Sequence, residues 1–174
     1  MCPELKHALD EIDAATAGMS DQELAWHPEG KWSTGDILEH LALAFSGTIK
    51  AGQVALDKNS ARKREPTFRE RLRVMVVLDL GYYPPGRTSP ETVKPRGIPP
   101  REAFNSIRKN LVAMDEVISA CEERFGARTK LSAHPVLGPI TARQWRRFHR
   151  IHTSHHMRQI RGLRQQMQNA TATA

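Results

Sequence analysis

The chain lacks any apolar run of the roughly 18–20 residues that a membrane span requires, so no membrane association is expected. Cysteine is nearly absent. Cys2 and Cys121 stand far apart, which excludes a disulfide framework and a thiolate zinc cluster. Reduced thiols in a cytoplasmic protein are the simplest reading. The opening residues, Met1 to Lys6, hold no apolar core of a secretory signal. There is no glycine-rich phosphate loop, no internal repeat and no strand-like alternation worth naming. Aromatic residues are scarce at 6%. Acid is missing altogether between Thr141 and Gln168, a segment that carries seven arginines.

What is present describes one domain. The 174 residues, 39% hydrophobic and 26% charged, suffice for a buried core. The domain is expected to span 1–168, with a short polar tail at 169–174. The net charge of +7 invites a nucleic-acid partner. That partner is not expected, because neither stacking aromatics nor a recognition-helix pattern accompanies the arginines. They read as a solvated helix face.

The periodicity predicts helices. Pro3 to Met19 carries Leu5, Leu9 and Ile12 on one stripe. Ser20 to Glu23 offers a fresh helix start that Pro28 and Gly30 keep short. Ser33 and Asp36 form a capping box, and Trp32 and Ile37 a hydrophobic staple, for a helix running to about Lys58. A charged linker (58–65) follows, then a short helix from Pro66 to about Leu80. Gly81 to Pro100 holds six of the eleven prolines and reads as an ordered, irregular excursion. Arg101 to Phe125 is a further helix, ended by Gly126. His134 to Thr141 is a structured turn. Thr141 with Gln144, and Ile140 with Trp145, start the last helix, from Arg143 to about Gln168. The fold class is therefore all-α: an up-down four-helix bundle with an extra short helix and a long Pro/Gly-rich loop at about 81–100.

Four of the eight histidines fall within His149–His156. His152 and His156 lie one helical turn apart on one face. With His152 at zero on the wheel, Trp145 and Leu163 fall at about +20° and His156 at about +40°, whereas His149 and His155 flank the stripe at about 60°. Upstream, His40 shares a face with Ile37, Ala44 and Gly47 and lies near Ala51. Those small residues leave room beside an imidazole, while Glu39 and Lys50 point elsewhere. His7, His27 and His134 lack partners at ligand spacing and read as surface or turn residues.

Two readings of the inward histidines stand side by side. Each imidazole is either a core polar group bonded to a neighbour, or one of three ligands to a transition metal. The position after His152 is Thr153, so the glutamate of an HExxH peptidase is missing.

Trp32-Ser33-Thr34-Gly35-Asp36-Ile37-Leu38-Glu39-His40-Leu41 resembles the second-helix signature of DinB-like proteins. His152 to Ile160 resembles its partner, with histidines four apart and Gln159 three further on. The stretch His134 to Pro139, with Thr141 and Trp145, resembles a branch of that family of uncharacterised function. The resemblance runs from about Trp32 to Leu163. It implies a four-helix bundle holding a divalent metal, zinc or nickel, on His40, His152 and His156. Relatives include S-transferases and isomerases that use small thiols such as bacillithiol or mycothiol, and many are homodimers. Met157-Arg158 departs from the Arg-Gly pair common before the glutamine.

The function expected is metal-dependent transfer of a low-molecular-weight thiol to a small electrophile. Metal-dependent hydrolysis is the second enzymatic reading, and a non-enzymatic metal-binding or stress-related interaction module the third. Gln159 and Trp32 are expected beside the metal ligands. No residue stands out as a general base.

Overall fold

The computed structural model describes residues 1–61, 64–83 and 88–172. Helix α1 runs Pro3–Thr16 with proline in its first turn, where a missing N–H costs nothing. It stops short of the expected Met19 because Gly18 turns left-handed, at φ +72°. Helix α2, Asp21–Ala25, is one short turn. Its capping box is complete, with Ser20 accepting from Glu23 N and Glu23 accepting from Ser20 N. Helix α3, Thr34–Asp57, begins as the sequence predicts. Ser33 Oγ accepts from Asp36 N at 3.0 Å, and Asp36 Oδ2 accepts from Ser33 N at 2.9 Å.

The short third helix is corrected. Thr67, not Pro66, opens α4 (Phe68–Val74), through a capping box with Glu70. Beyond Val74 the chain continues as a π-helical turn, Met75–Asp79. Helix α5 spans Pro100–Phe125 and ends at Gly126, whose φ of +90° favours glycine.

The expected turn after α5 is a β-hairpin. Strands β1 (Lys130–His134) and β2 (Gly138–Thr141) pair antiparallel, with His134 opposite Gly138. Four or five residues are too few for apolar alternation to register, and Pro139 weighs against a strand except at an edge. Helix α6 then runs Ala142–Ala172, past the expected end at Gln168. Its start is the predicted box, Gln144 Oε1 accepting from Thr141 N and Thr141 Oγ1 from Gln144 N.

Helices α1, α3, α5 and α6 make the expected all-α bundle, α1 packing chiefly on α6 and α3 on α5. Leu5, Ile12, Leu38, Leu41, Phe45, Ile107, Leu111, Met114 and Ile160 fill its core. Gly52 lets α3 and α5 close up: a Cβ there would stand 2.4 Å from Val117 Cγ1. No helix among the described residues is long and apolar enough to cross a membrane.

Within the Pro/Gly-rich excursion, residues 84–87 lie outside the described residues, as do two residues of the charged linker and the last two of the tail. The later part of the excursion, from Val93 to Ile98, is fastened to α3. Glu39, buried, accepts the backbone N–H groups of Arg96 (2.9 Å), Gly97 (3.0 Å) and Ile98 (3.2 Å). Glu39 thus faces the loop rather than the histidine cluster, and is buried there. It holds the loop that passes over the next residue, His40.

Candidate metal centre

The three histidines on α3 and α6 converge. His40, His152 and His156 are all buried, and their ligand nitrogens lie within 4.8 Å of one another. His152 Nε2 stands 3.2 Å from His40 Nε2 and 3.0 Å from His156 Nε2. The far side of two rings is committed. His40 Nδ1 donates to Val93 O at 2.8 Å, and His156 Nδ1 to Gln159 Oε1 at 2.7 Å. A neutral imidazole has one proton, so both rings present bare Nε2 lone pairs to the cluster centre.

Such a cluster is incomplete on its own. His152 can offer one proton at most to two acceptors, so one close nitrogen pair is left lone pair against lone pair. Among the described residues its Nδ1 is buried without a hydrogen-bond partner. A cation between the three nitrogens satisfies them together. Zinc–nitrogen bonds of 2.0–2.1 Å in tetrahedral geometry separate ligand nitrogens by about 3.3 Å, close to the 3.0 and 3.2 Å found. The residues fit a divalent transition metal, and the outer hydrogen bonds are those that orient metal-bound histidines.

Electrostatics agree. Burial pushes the His156 imidazolium down to about 3, and the neighbouring His40 adds to the shift. Burial lowers His40, against the hydrogen bond to Val93. His152 falls well below its ordinary value through burial, then through His156 and His40. All three rings are thus neutral at physiological pH, the form that binds metal.

The cluster opens into a cavity of about 830 Å³. Trp32 and Gln159 line it, the first with its ring 5.2 Å from that of His40. Lys31, Lys94, Thr88, Ser89 and Gln166 line it as well, and no Asp or Glu does among the described residues. The room beside His40 is not made by Ala44, Gly47 and Ala51, as the wheel suggested. Those residues are half-buried or exposed and take no part in the lining, whereas Gly162 on α6 does.

The remaining histidines divide. His149 is fully buried and shares a 2.8 Å hydrogen bond with Thr48 Oγ1, closer to the core than a flank position implied. His155 is half-buried against Tyr83. His134, read as a surface or turn residue, sits at the hairpin but is half-buried, its ring 4.2 Å from that of Phe148. His7 and His27 are exposed. The sequence reading missed Glu39 and the Val93 carbonyl. A backbone carbonyl leaves no sequence signal, and a single acid beside a histidine is a weak one. It also missed Tyr83, whose ring stacks on His152 at 5.3 Å.

A family model described as the DinB superfamily matches residues 4–160. The chain belongs to the DinB superfamily. No curated protein and no solved structure matches it. The match takes in all three histidines of this DinB-superfamily chain, Gln159, all of α3, and α6 as far as Ile160.

Proposed function

We propose that this DinB-superfamily protein holds a divalent transition metal, zinc or nickel, on His40, His152 and His156, and uses it to transfer a small thiol to a small electrophile. The observation that carries the metal reading is the convergence of imidazole nitrogens whose outer protons are already committed to Val93 and Gln159. A bound metal of this kind lowers the pKa of a thiol or water held beside it. Gln159 orients His156, Val93 orients His40, and Trp32 walls the cavity.

The absence of carboxylates from the lining, among the described residues, favours a thiol over water as nucleophile. Hydrolysis ordinarily relies on a nearby base to accept water's proton. A thiol starts with a pKa near 8.5 and needs far less help. Hydrolysis remains the second reading, and a non-catalytic metal-binding module the third. We further propose that the chain pairs with itself. Phe68, Leu72, Met75, Leu80 and Tyr82 leave an apolar surface exposed around α4.

The test begins with elemental analysis of untagged protein purified without chelator, beside a His152→Ala/His156→Ala variant. About one metal per chain, lost in the folded variant, is expected. Protein that carries no metal and binds neither added zinc nor nickel would refute the site. Screening thiols and electrophiles with metal-loaded protein then separates the readings. An enzyme loses turnover in His156→Ala while keeping its fold, whereas a structural site loses stability with its metal.

A further inference from the structure

A second cavity, of about 210 Å³, has no part in the metal reading. Leu72, Val76, Val77, Leu137 and Phe148 give it apolar walls. It shares Tyr83 with the larger cavity. Tyr83 and Phe148 both stack on the His152 ring, with centroids 5.3 and 5.2 Å away. Engineered apolar cavities of about 150 Å³ bind benzene, so this chamber accommodates one ring with a short substituent.

One residue of its lining carries a polar atom with unspent capacity. His134 Nδ1 accepts the backbone N–H groups of Val136 at 3.1 Å and Leu137 at 3.2 Å. The ring proton therefore sits on Nε2, which has no hydrogen-bond partner among the described residues. Burial holds the imidazole's pKa down to about 4, so the ring stays a neutral donor across the physiological range. The ring is half-buried, and an acceptor seated in the chamber takes this donor in place of water. Arg73, the one cation of the lining among the described residues, is exposed and already donates to Val136 O at 3.2 Å.

We propose that this cavity is a binding site for a small neutral molecule, about one aromatic ring in size, bearing a single hydrogen-bond acceptor that takes the His134 Nε2–H. Its occupant lies against Tyr83 and Phe148, the two rings that stack on His152, and so adjoins the metal centre without entering it. This site stands whether or not a metal is bound, so the experiment uses metal-free protein.

The probes are acetophenone, ethylbenzene, which has the same shape without the acceptor, and benzoate. Binding is followed by titration calorimetry and by the ¹⁵N resonances of the His134 ring. Acetophenone is expected to bind saturably and to shift Nε2. Ethylbenzene should bind about tenfold more weakly, the worth of one hydrogen bond, and benzoate more weakly still. Val76→Phe, which fills the chamber, should abolish acetophenone binding. Val136→Trp, in its half-buried hairpin wall, is a second blocking variant should Val76→Phe fail to fold. Four results would overturn the proposal: no saturable binding of acetophenone, ethylbenzene binding equally well with Nε2 unmoved, benzoate binding tightest (an anion site on Arg73), or undiminished binding in a folded blocking variant.

Discussion

Replacing Glu39 should loosen the excursion and the metal centre together. The carboxylate is 3% exposed and accepts three backbone N–H groups in succession, from Arg96, Gly97 and Ile98. Hydrogen bonds to a charged group contribute about 1.5–3 kcal/mol each when buried. Arg96 and Gly97 are themselves exposed, so water replaces part of what they lose. Glu39→Ala should therefore cost about 2–4 kcal/mol rather than the full sum. Glu39→Gln keeps the shape but turns one acceptor into a donor facing an N–H, and should cost about 1–2 kcal/mol. The second effect reaches the site. Val93, three residues before Arg96, accepts from His40 Nδ1 at 2.8 Å. If the loop lifts, His40 loses the group that fixes its tautomer, and metal affinity should fall about 10–100-fold. Urea unfolding of metal-free protein measures the first effect. Amide hydrogen exchange at 96–98 locates it, and chelator competition measures the second. A Glu39→Ala variant within about 0.5 kcal/mol of the parent, the range of ordinary surface substitutions, with protected amides and unchanged affinity would refute the coupling.

Other perturbations test the rest of the design. His134 is held neutral, its pKa lowered by burial from 6.5 to about 4. The unfolded chain therefore binds a proton that the folded chain refuses between those values. Stability is full above about 6.5 and falls with pH toward 4, by about 1.4 kcal/mol per unit and about 3 kcal/mol in all for this residue. His149, His152 and His156, shifted the same way by burial, steepen the loss; urea midpoints of metal-free protein that stay flat from pH 7.5 to 4.5 would contradict this. Gly52→Ala drives a methyl into Val117 and should cost about 1–3 kcal/mol by overpacking. Adding Val117→Ala should recover part of it in a double-mutant cycle, and simple additivity would show that the two helices do not meet there. Gln159→Leu should weaken metal binding about tenfold while leaving the fold intact, which circular dichroism and chelator competition together can decide. Light scattering checks self-association: a dimer is expected that Phe68→Glu with Leu72→Glu splits, and a monomeric parent would remove that proposal.

The bundle was legible because its helices announce themselves twice, by apolar period and by end signals. Ser33 with Asp36 and Thr141 with Gln144 form the hydrogen bonds their spacing predicts. The inward turn of His152 and His156 followed from the wheel, since a long amphipathic helix fixes which side chains face the core. What escaped has physical reasons. The hairpin is too short for its period to show, and its turn depends on His134 accepting two backbone N–H groups. Thr67 with Glu70 is a start signal as clear as the others, but Pro66 drew the boundary two residues early. Glu39 escaped because the wheel places an acid off the apolar stripe. It says nothing of a loop arriving from 57 residues further along to cover it.

Why the histidines are disposed as they are follows from these contacts. Two of the three ligand candidates sit on α6, one turn apart, and the third comes from α3. Helical side chains alone bring three rings together without deciding which nitrogen of each is bare. That decision is made outside the cluster, by Gln159 on the same helix for His156 and by a loop carbonyl for His40. His152, between them, has no such partner among the described residues and is positioned instead by the Tyr83 and Phe148 rings. Its orientation rests on packing, whereas theirs rests on hydrogen bonds. Substitutions at Tyr83 or Phe148 should therefore act on the metal centre through His152 alone. Phe148→Ala should weaken metal binding while ¹⁵N spectra of the His40 and His156 rings keep their Nδ1–H tautomers. Loss of those tautomers in Phe148→Ala would mean that the three rings are held as one packed unit, not by separate means.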